Sequence, residues 1–266
     1  MELYGAIKKR RSVRNYPGES LSTDELDRVE YLLGEAGEFQ EDKSVSAYLI
    51  RDGNGFQDNI SGLIADYGKV EAPHYLLLSS RETEGTLVEI GYRYEFVTLA
   101  LTEMGVGTCW IGKGFSDEDI RKSVELPAEH TARALIAFGP VADRKLEVIE
   151  EPNRKELSAF IIDGKAETVS RDVLEVVEAL RRAPSSINSQ PWRVQEGEDS
   201  LHLYIGRRST LTRKLIKSLS RMNRIDGGIG LRHMEVAGNY LWGEVDVEKA
   251  EHPERKGLEY IASISK

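Results

Sequence analysis

Four short segments carry the residue types and spacings that could do chemistry. Residues 7–16 read IKKRRSVRNY and set Arg10, Arg11, Ser12 and Arg14 at the end of a short helix. Arginines so spaced can fork around a phosphate, with a hydroxyl donor between them. Taken alone, the same segment also reads as a solvated helix end. Residues 183–194 read APSSINSQPWRV: Pro184 stops a helix, and Ser185, Ser186, Asn188 and Gln190 crowd four neutral hydrogen-bonding side chains into one loop before a strand. An uncharged edge of this kind suits a planar heterocycle with carbonyl and ring-nitrogen acceptors; the bland alternative is a serine-rich connection. Residues 105–115 have glycines at 105, 107, 112 and 114. These would let the backbone around Ile111, Gly112 and Lys113 approach a ligand closely, where an amide can stabilise an electron-rich ring; the alternative is a helix stop and a turn into an apolar strand. Cys109 has no His or second Cys beside it and reads as a small core residue. The fourth segment, 124–145, is a strand ending at Gly139 and Pro140 that delivers Arg144 and Lys145 either to the surface or to a second phosphate contact.

Several elements must hold these segments. A helix starts near Ser22, where Ser22 and Glu25 form a capping-box pair and Leu26, Val29 and Leu33 follow at helical spacing. Another starts near Ser170, with Val173, Val177 and Leu180 in the same period, and LSTDELDRVEYLL can be laid over VSRDVLEVVEALR. Residues 87–104 form a long helix whose Leu87, Ile90, Tyr94, Val97, Leu101 and Met104 share one face, as a central buried helix requires. DGGIGLRHMEVAGNYLW can be laid over EIGYRYEFVTLALTEMG, matching Gly91 with Gly228 and Ala100 with Ala237. Order and approximate spacing repeat, which points to a tandem duplication with a shorter second copy; chance likeness of amphipathic helices is the alternative. Strands are expected at 45–50, 75–80, 134–139, 192–194, 201–205 and 260–264, giving an α+β class. The polar, Pro-bearing stretch 150–167 reads as the boundary between halves 1–165 and 166–266.

Composition narrows the partners. The 266 residues are 40% hydrophobic and 30% charged, with no apolar run approaching the roughly 20 residues of a membrane span. The start shows no secretory leader, so a cytoplasmic protein is expected. One cysteine excludes an intrachain disulfide, and five histidines without ligand spacing argue against a structural metal. The net charge of -9 argues against nucleic acid, while the cations between Lys8 and Arg14 suggest one small anionic partner.

Together the four segments resemble the nitroreductase family of FMN enzymes, in its fused, tandem-duplicated form. The matches are R-R-S-x-R (Arg10, Arg11, Ser12, Arg14), P-S-S-x-N-x-Q-P-W (184–192), G-x-G-T-C-W-I-G (105–112) and the L-P…A-L-I-A-x-G-P run with its basic pair (126–145). The resemblance covers most of the chain and implies a nitroreductase-like α+β fold in which two diverged copies pack as an intrachain pseudo-dimer. In the family the serine and asparagine loop comes early; here it belongs to the second copy, and the first copy has Ala36, Gly37, Glu38 and Gln40 in its place. The second copy lacks the clamp and the G-T-C-W-I-G turn. Family members are homodimers with two flavins, each held between the clamp of one subunit and the loop of the other, so the fused chain would build one composite site and leave its mate degenerate.

The resemblance implies that Arg10, Arg11, Ser12, Arg14, Arg144 and Lys145 hold the phosphate and ribityl chain. Pro184, Ser185, Ser186, Asn188 and Gln190 would face the ring, with Ile111, Gly112 and Lys113 by N5. NADH or NADPH would donate hydride to N5, and a small aromatic or quinone-like electron acceptor would take it in a ping-pong cycle that needs no catalytic side chain. The chain would act as a monomer or a weak homodimer. The alternatives are a non-catalytic flavin- or nucleotide-binding sensor or carrier, and a related flavin enzyme such as a dehalogenase or enone reductase.

Overall fold

The computed structural model describes residues 2–39, 44–60, 64–65, 68–81, 85–112, 114–162, 169–207 and 213–265. In chain order the elements are α1 (Leu3–Lys9), α2 (Thr23–Glu35), β1 (Val45–Ile50), α3 (Gly53–Asp58), β2 (Ile64–Ala65), β3 (Gly68–Lys69), β4 (His74–Ser80), α4 (Thr86–Glu103), β5 (Val106–Ile111), α5 (Asp117–Ser123), β6 (Thr131–Pro140), α6 (Arg171–Arg182), β7 (Trp192–Glu196), β8 (Ser200–Gly206), α7 (Arg213–Trp242), β9 (Asp246–Glu248) and β10 (Leu258–Ser265).

Local chemistry accounts for the helix ends. Ser22 Oγ accepts from Glu25 N, and Glu25 Oε2 accepts from Ser22 N at 2.8 Å, so the capping box closes at the start of α2. Ser170 Oγ accepts from Val173 N and starts α6, which stops at Arg182 just before Pro184. α4 lies within one residue of the expected 87–104. α7 begins at Arg213, thirteen residues before the matched segment, and Leu215, Leu219, Met222 and Ile225 continue its helical period through the added turns. The six expected strands all fall within strands; β5 is the apolar strand of the alternative reading of residues 105–115, and the short β2, β3 and β9 have no counterpart among the expectations.

Two four-stranded antiparallel sheets result, ordered β1-β4-β6-β5 and β7-β8-β10-β9. In β4 every residue is buried: Leu76 and Leu78 join the main core with the long helices, while Tyr75 and Leu77 join a second core with Phe56 and Ile120. A strand covered on both faces reads as a continuous apolar run, as this one does. α4 and α7 pack on each other more extensively than any other helix pair.

The element order repeats. With α3, the β2–β3 pair and α5 set aside as insertions, helix, two strands, long helix and two strands run from α2 to β6 and again from α6 to β10, and each four-stranded sheet orders its strands first, second, fourth, third. The long helices meet reciprocally at the matched glycines. A Cβ on Gly91 would lie 2.0 Å from Ile225 O, three residues before Gly228, and a Cβ on Gly228 would lie 1.9 Å from Val88 O, three residues before Gly91. Only glycine lets the two backbones come this close.

The expected boundary near Lys165 lies outside the described residues. The stretch before it is more than a linker: Phe160 is fully buried, and Ile162 N donates to Val194 O on the free edge of β7. No helix among the described residues is long and apolar enough to cross a membrane. Among the described residues, no group of three or more His, Cys, Asp or Glu is placed to hold a metal ion.

Candidate functional site

A cavity of about 380 Å³ collects residues from five parts of the chain. The end of α1 contributes Arg10, where the helix stops, and Val13 N donates to Thr108 O, so the segment carrying Ser12 and Arg14 is fixed along the free edge of β5. β5 and the residue that follows it bring Trp110 and Gly112 to the cavity, and strand alternation turns Ile111 away into the second core. Pro152, Asn153 and Arg154 line another side. The turn after α6 brings Pro184, Ser185, Ser186 and Asn188, and α7 forms the floor with Met222, Ile225, Asp226 and Ile229, one face of a helix.

Arg10, Arg11, Ser12, Arg14, Gly112, Pro184, Ser185, Ser186 and Asn188 therefore meet around one space, drawn from both sides of the chain's midpoint. Lys113 lies outside the described residues. Arg144 and Lys145 do not line the cavity, which corrects the expectation of a second phosphate contact from this pair. After β6 the chain turns through left-handed residues Asp143 and Arg144, and Arg144 then pairs with Glu25 at 2.8 Å while exposed Lys145 pairs with Glu147. Gln190 is a correction of a different kind, since it does not face the cavity. It is buried, with its Oε1 accepting from Lys155 N and its Nε2 donating to Asn188 O, so it staples the loop from behind.

That loop holds an uncommon backbone. Ile187, Asn188 and Gln190 have φ of 48°, 52° and 49°, left-handed values that cost roughly 1–3 kcal/mol each for ordinary residues. Asn188 N to Ser185 O, Gln190 N to Ser185 Oγ and Ser186 N to the buried Asp226 carboxylate hold it in place. The result is a row of neutral polar groups with a fixed orientation.

The opposite side is cationic. Arg10 is buried, and its Nε and Nη1 have no hydrogen-bond partner in the protein. Burial lowers its pKa, against the neighbouring Glu95. Arg154 donates to the last carbonyls of α6, Arg182 O and Ala183 O, so the negative end of the helix dipole holds it. Its pKa is pushed down to about 10, first by burial and then by Arg10, Arg181 and Arg182. Arg182 is itself compensated by Glu178 at 2.7 Å. Buried N–H groups are normally paired, so unbonded guanidinium nitrogens beside a cavity fit a phosphate-bearing ligand, and the neutral loop facing them fits the polar edge of a ring.

Arg154 and Asp226 were not legible as site residues. Arg154 is a lone cation in a polar stretch, and only the packing of that stretch on the end of α6 gives it a role. The three- and four-residue steps from Met222 to Ile229 were the one available signal for the floor.

The positions on α4 that match Asp226 and Ile229 are Glu89 and Tyr92. Glu89 Oε1 accepts from Phe39 N at 3.2 Å, much as Asp226 accepts from Ser186 N at 3.1 Å. There, however, side chains occupy the space: the Phe39 ring meets Tyr92 edge-on, and the Arg232 guanidinium lies 3.7 Å over Tyr92 and donates to Gly37 O.

Comparison with known structures finds a similar fold over nearly the whole chain. A structure from Thermotoga maritima, described as a nitroreductase, shares 19% identity over 99% of this chain and 92% of its own, with a TM-score of 0.65. An FMN-dependent nitroreductase from Clostridium difficile is 18% identical over 55% of this chain and 91% of its own, with a TM-score of 0.46. A nitroreductase with bound FMN from Desulfitobacterium hafniense is 15% identical over 57% of this chain and 95% of its own, with a TM-score of 0.48. No curated protein matches the sequence. The family model described as "Putative TM nitroreductase" matches residues 2–238, taking in every residue of the cavity, all of α4 and all but the last four residues of α7. By that match the chain belongs to this nitroreductase family.

Proposed function

We propose that the protein is an FMN-dependent oxidoreductase. In this reading it takes electrons from NADH or NADPH and passes them to a small aromatic or quinone-like acceptor. The observation that carries the reading is the convergence on one cavity of buried, unbonded guanidinium nitrogens and a rigid neutral loop. FMN bound there would supply reversible hydride transfer at N5. Arg10, Arg14 and Arg154 would hold the phosphate, with Ser12 as a hydroxyl donor between the first two. Ser185, Ser186 and Asn188 would offer neutral hydrogen bonds to the ring, held in place by Asp226 and Gln190. A Cβ at position 112 would press on Met222 at 3.1 Å, so glycine there keeps room beside the floor. Trp110, Ile225 and Ile229 would exclude water, and donor and acceptor would use the cavity in turn. No side chain is assigned as an essential acid or base.

In the same reading the halves 1–165 and 166–266 are diverged tandem copies that pack as an intrachain pseudo-dimer. The repeated element order, the shared strand order and the reciprocal Gly91–Gly228 crossing support this. An isologous contact of that kind is what a two-fold axis generates. The chain would then hold one flavin, since Phe39, Tyr92 and Arg232 fill the place of the mate.

The visible absorption spectrum of the purified chain, reconstituted with FMN and titrated anaerobically with NADH and NADPH, tests the reading. About one flavin per chain with bleaching of the flavin band is expected. Two flavins would refute the single site, and none would refute the cofactor. Bound flavin that neither donor reduces would leave a carrier.

A further inference from the structure

Beneath the arginines lies a buried polar group that the proposed chemistry does not use. Glu95 on α4 and His233 on α7 are both fully buried. His233 Nε2 lies 2.9 Å from Glu95 Oε1, and its Nδ1 lies 2.9 Å from the Ala179 carbonyl on α6. A carbonyl oxygen only accepts, so Nδ1 carries a hydrogen. The Nε2 and Oε1 atoms must then share one further proton, because without it two lone pairs would face each other. Glu95 Oε2 accepts from Trp110 Nε1 at 2.7 Å, and Oε1 is 4.0 Å from Arg10 Nε. One carboxylate thus touches both a wall of the cavity and its most buried cation.

Counting charge shows what the arrangement does. With the shared proton, Glu95 and His233 are neutral as a pair wherever the proton sits, and Arg10 keeps a full positive charge with two nitrogens unbonded. Without the proton the pair carries one negative charge, which cancels Arg10 and competes with any anion in the cavity.

We propose that Glu95 and His233 are positioning residues of the anion clamp: joined by one buried proton, they hold Trp110 and Arg10 in place while leaving the Arg10 charge for the ligand's phosphate. The identity of that ligand as FMN rests on the function proposed above; the charge balance does not. The groups facing the pair are Arg10 from the segment after α1, Trp110 from β5 and the Ala179 carbonyl from α6, with Arg14 and Cys109 in electrostatic reach of Arg10. By linkage, the anion and the proton each strengthen binding of the other.

Three variants of the full chain test this: Glu95→Gln, His233→Gln and the two combined. FMN dissociation constants are read at about pH 8 from quenching of flavin fluorescence. In Glu95→Gln the amide can accept from Trp110 and donate to a neutral His233, so the charge beside Arg10 is unchanged. His233→Gln leaves an unneutralised carboxylate there and weakens binding by roughly tenfold or more, since a charge pair at this distance is worth several times RT even with partial screening. The double variant removes that carboxylate and regains most of the loss. A double variant as weak as His233→Gln would overturn the proposal, because a merely structural pair gains nothing from a second substitution. The same proteins are titrated with inorganic phosphate by thermal shift. If the wild type bound no flavin, the cofactor reading would fail, while the ranking with phosphate would still decide this one. Should His233→Gln not fold, His233→Asn and its combination with Glu95→Gln are compared in the same way, and a combined variant as weak as His233→Asn overturns the proposal.

Discussion

Gly228→Ala tests the helix crossing on which the whole arrangement depends. The new Cβ would lie 1.9 Å from Val88 O, 2.6 Å from Tyr92 N and 2.8 Å from Val88 C, about 1.5 Å short of ordinary contact at the closest atom. All three are backbone atoms, so no side chain can swing aside and α4 and α7 must separate. Overpacking of this kind costs typically 1–3 kcal/mol and here belongs at the upper end. Replacing glycine within a helix returns about 1 kcal/mol. The expected net loss is about 2 kcal/mol, which lowers Tm by roughly 4–8 °C for a chain of this size. Circular dichroism during heating reads it directly. Gly34→Ala, where an added Cβ meets nothing within 4 Å, is the matched control and is expected to hold or raise Tm. Because Gly91 and Gly228 share one crossing, Gly91→Ala and Gly228→Ala together are expected to cost less than their separate losses combined: once the helices have moved apart, the second methyl group meets less resistance. A Gly228→Ala protein as stable as the Gly34→Ala control would refute the close approach, and strict additivity would refute the shared crossing.

Other outcomes follow from the site and its surroundings. Arg154→Gln removes a cation held at the end of α6 and is expected to weaken FMN binding by roughly tenfold to a hundredfold, as loss of a charge-assisted hydrogen bond does; Arg144→Gln and Lys145→Gln, paired outside the cavity, are expected to leave the fluorescence titration unchanged. His74 gives a pH effect with a defined sign. Its Nδ1 donates to Arg51 O and its Nε2 accepts from Leu21 N, and burial holds its pKa below the ordinary histidine value. The unfolded chain therefore takes up a proton that the folded one resists, so His74 contributes stability above about pH 6.5 that is lost as pH falls toward the lower folded value. The drop in Tm from pH 7.5 to 5.5 is expected to be smaller in His74→Gln, which keeps an acceptor for the Leu21 amide; an equal drop would remove His74 as its source.

Signals that act over a few residues were legible in the sequence. The Ser22–Glu25 box, Pro184 and the apolar face of α4 fixed helix positions to within a residue or so, because caps, ring constraints and helical period are local. Residues whose role comes from a distant partner were not. Arg154 matters because the end of α6 offers it carbonyls, and Glu95 matters because His233, from the other half, faces it. Arg144 and Lys145 sit in a motif with the right composition, yet two left-handed residues turn that stretch toward Glu25. Direction after a turn depends on backbone angles that residue type leaves open.

The contrast between the two sides of the α4–α7 crossing follows from which contacts are shared. Gly91 and Gly228 each face the other helix's backbone, so a side chain at either position would push apart the same pair of helices and disturb both halves. Glu89 and Asp226 each hold a loop amide, a task that is likewise equivalent on the two sides. A clamp and a polar loop, by contrast, serve only the cavity they line, and substitution on one side leaves the other intact. In the proposed duplicated arrangement, the packing contacts would thus stay matched while one cavity filled with Phe39, Tyr92 and Arg232 and the other kept its arginines. The Glu95–His233 pair fits this division: it joins the halves across the shared interface, yet Arg10 and Trp110 connect it to one cavity alone. The matching position on α7 is Arg232, which pairs with Glu235 and bonds backbone carbonyls instead. Chemistry on one side and sealing on the other can therefore coexist in one fold without loosening the crossing that both require.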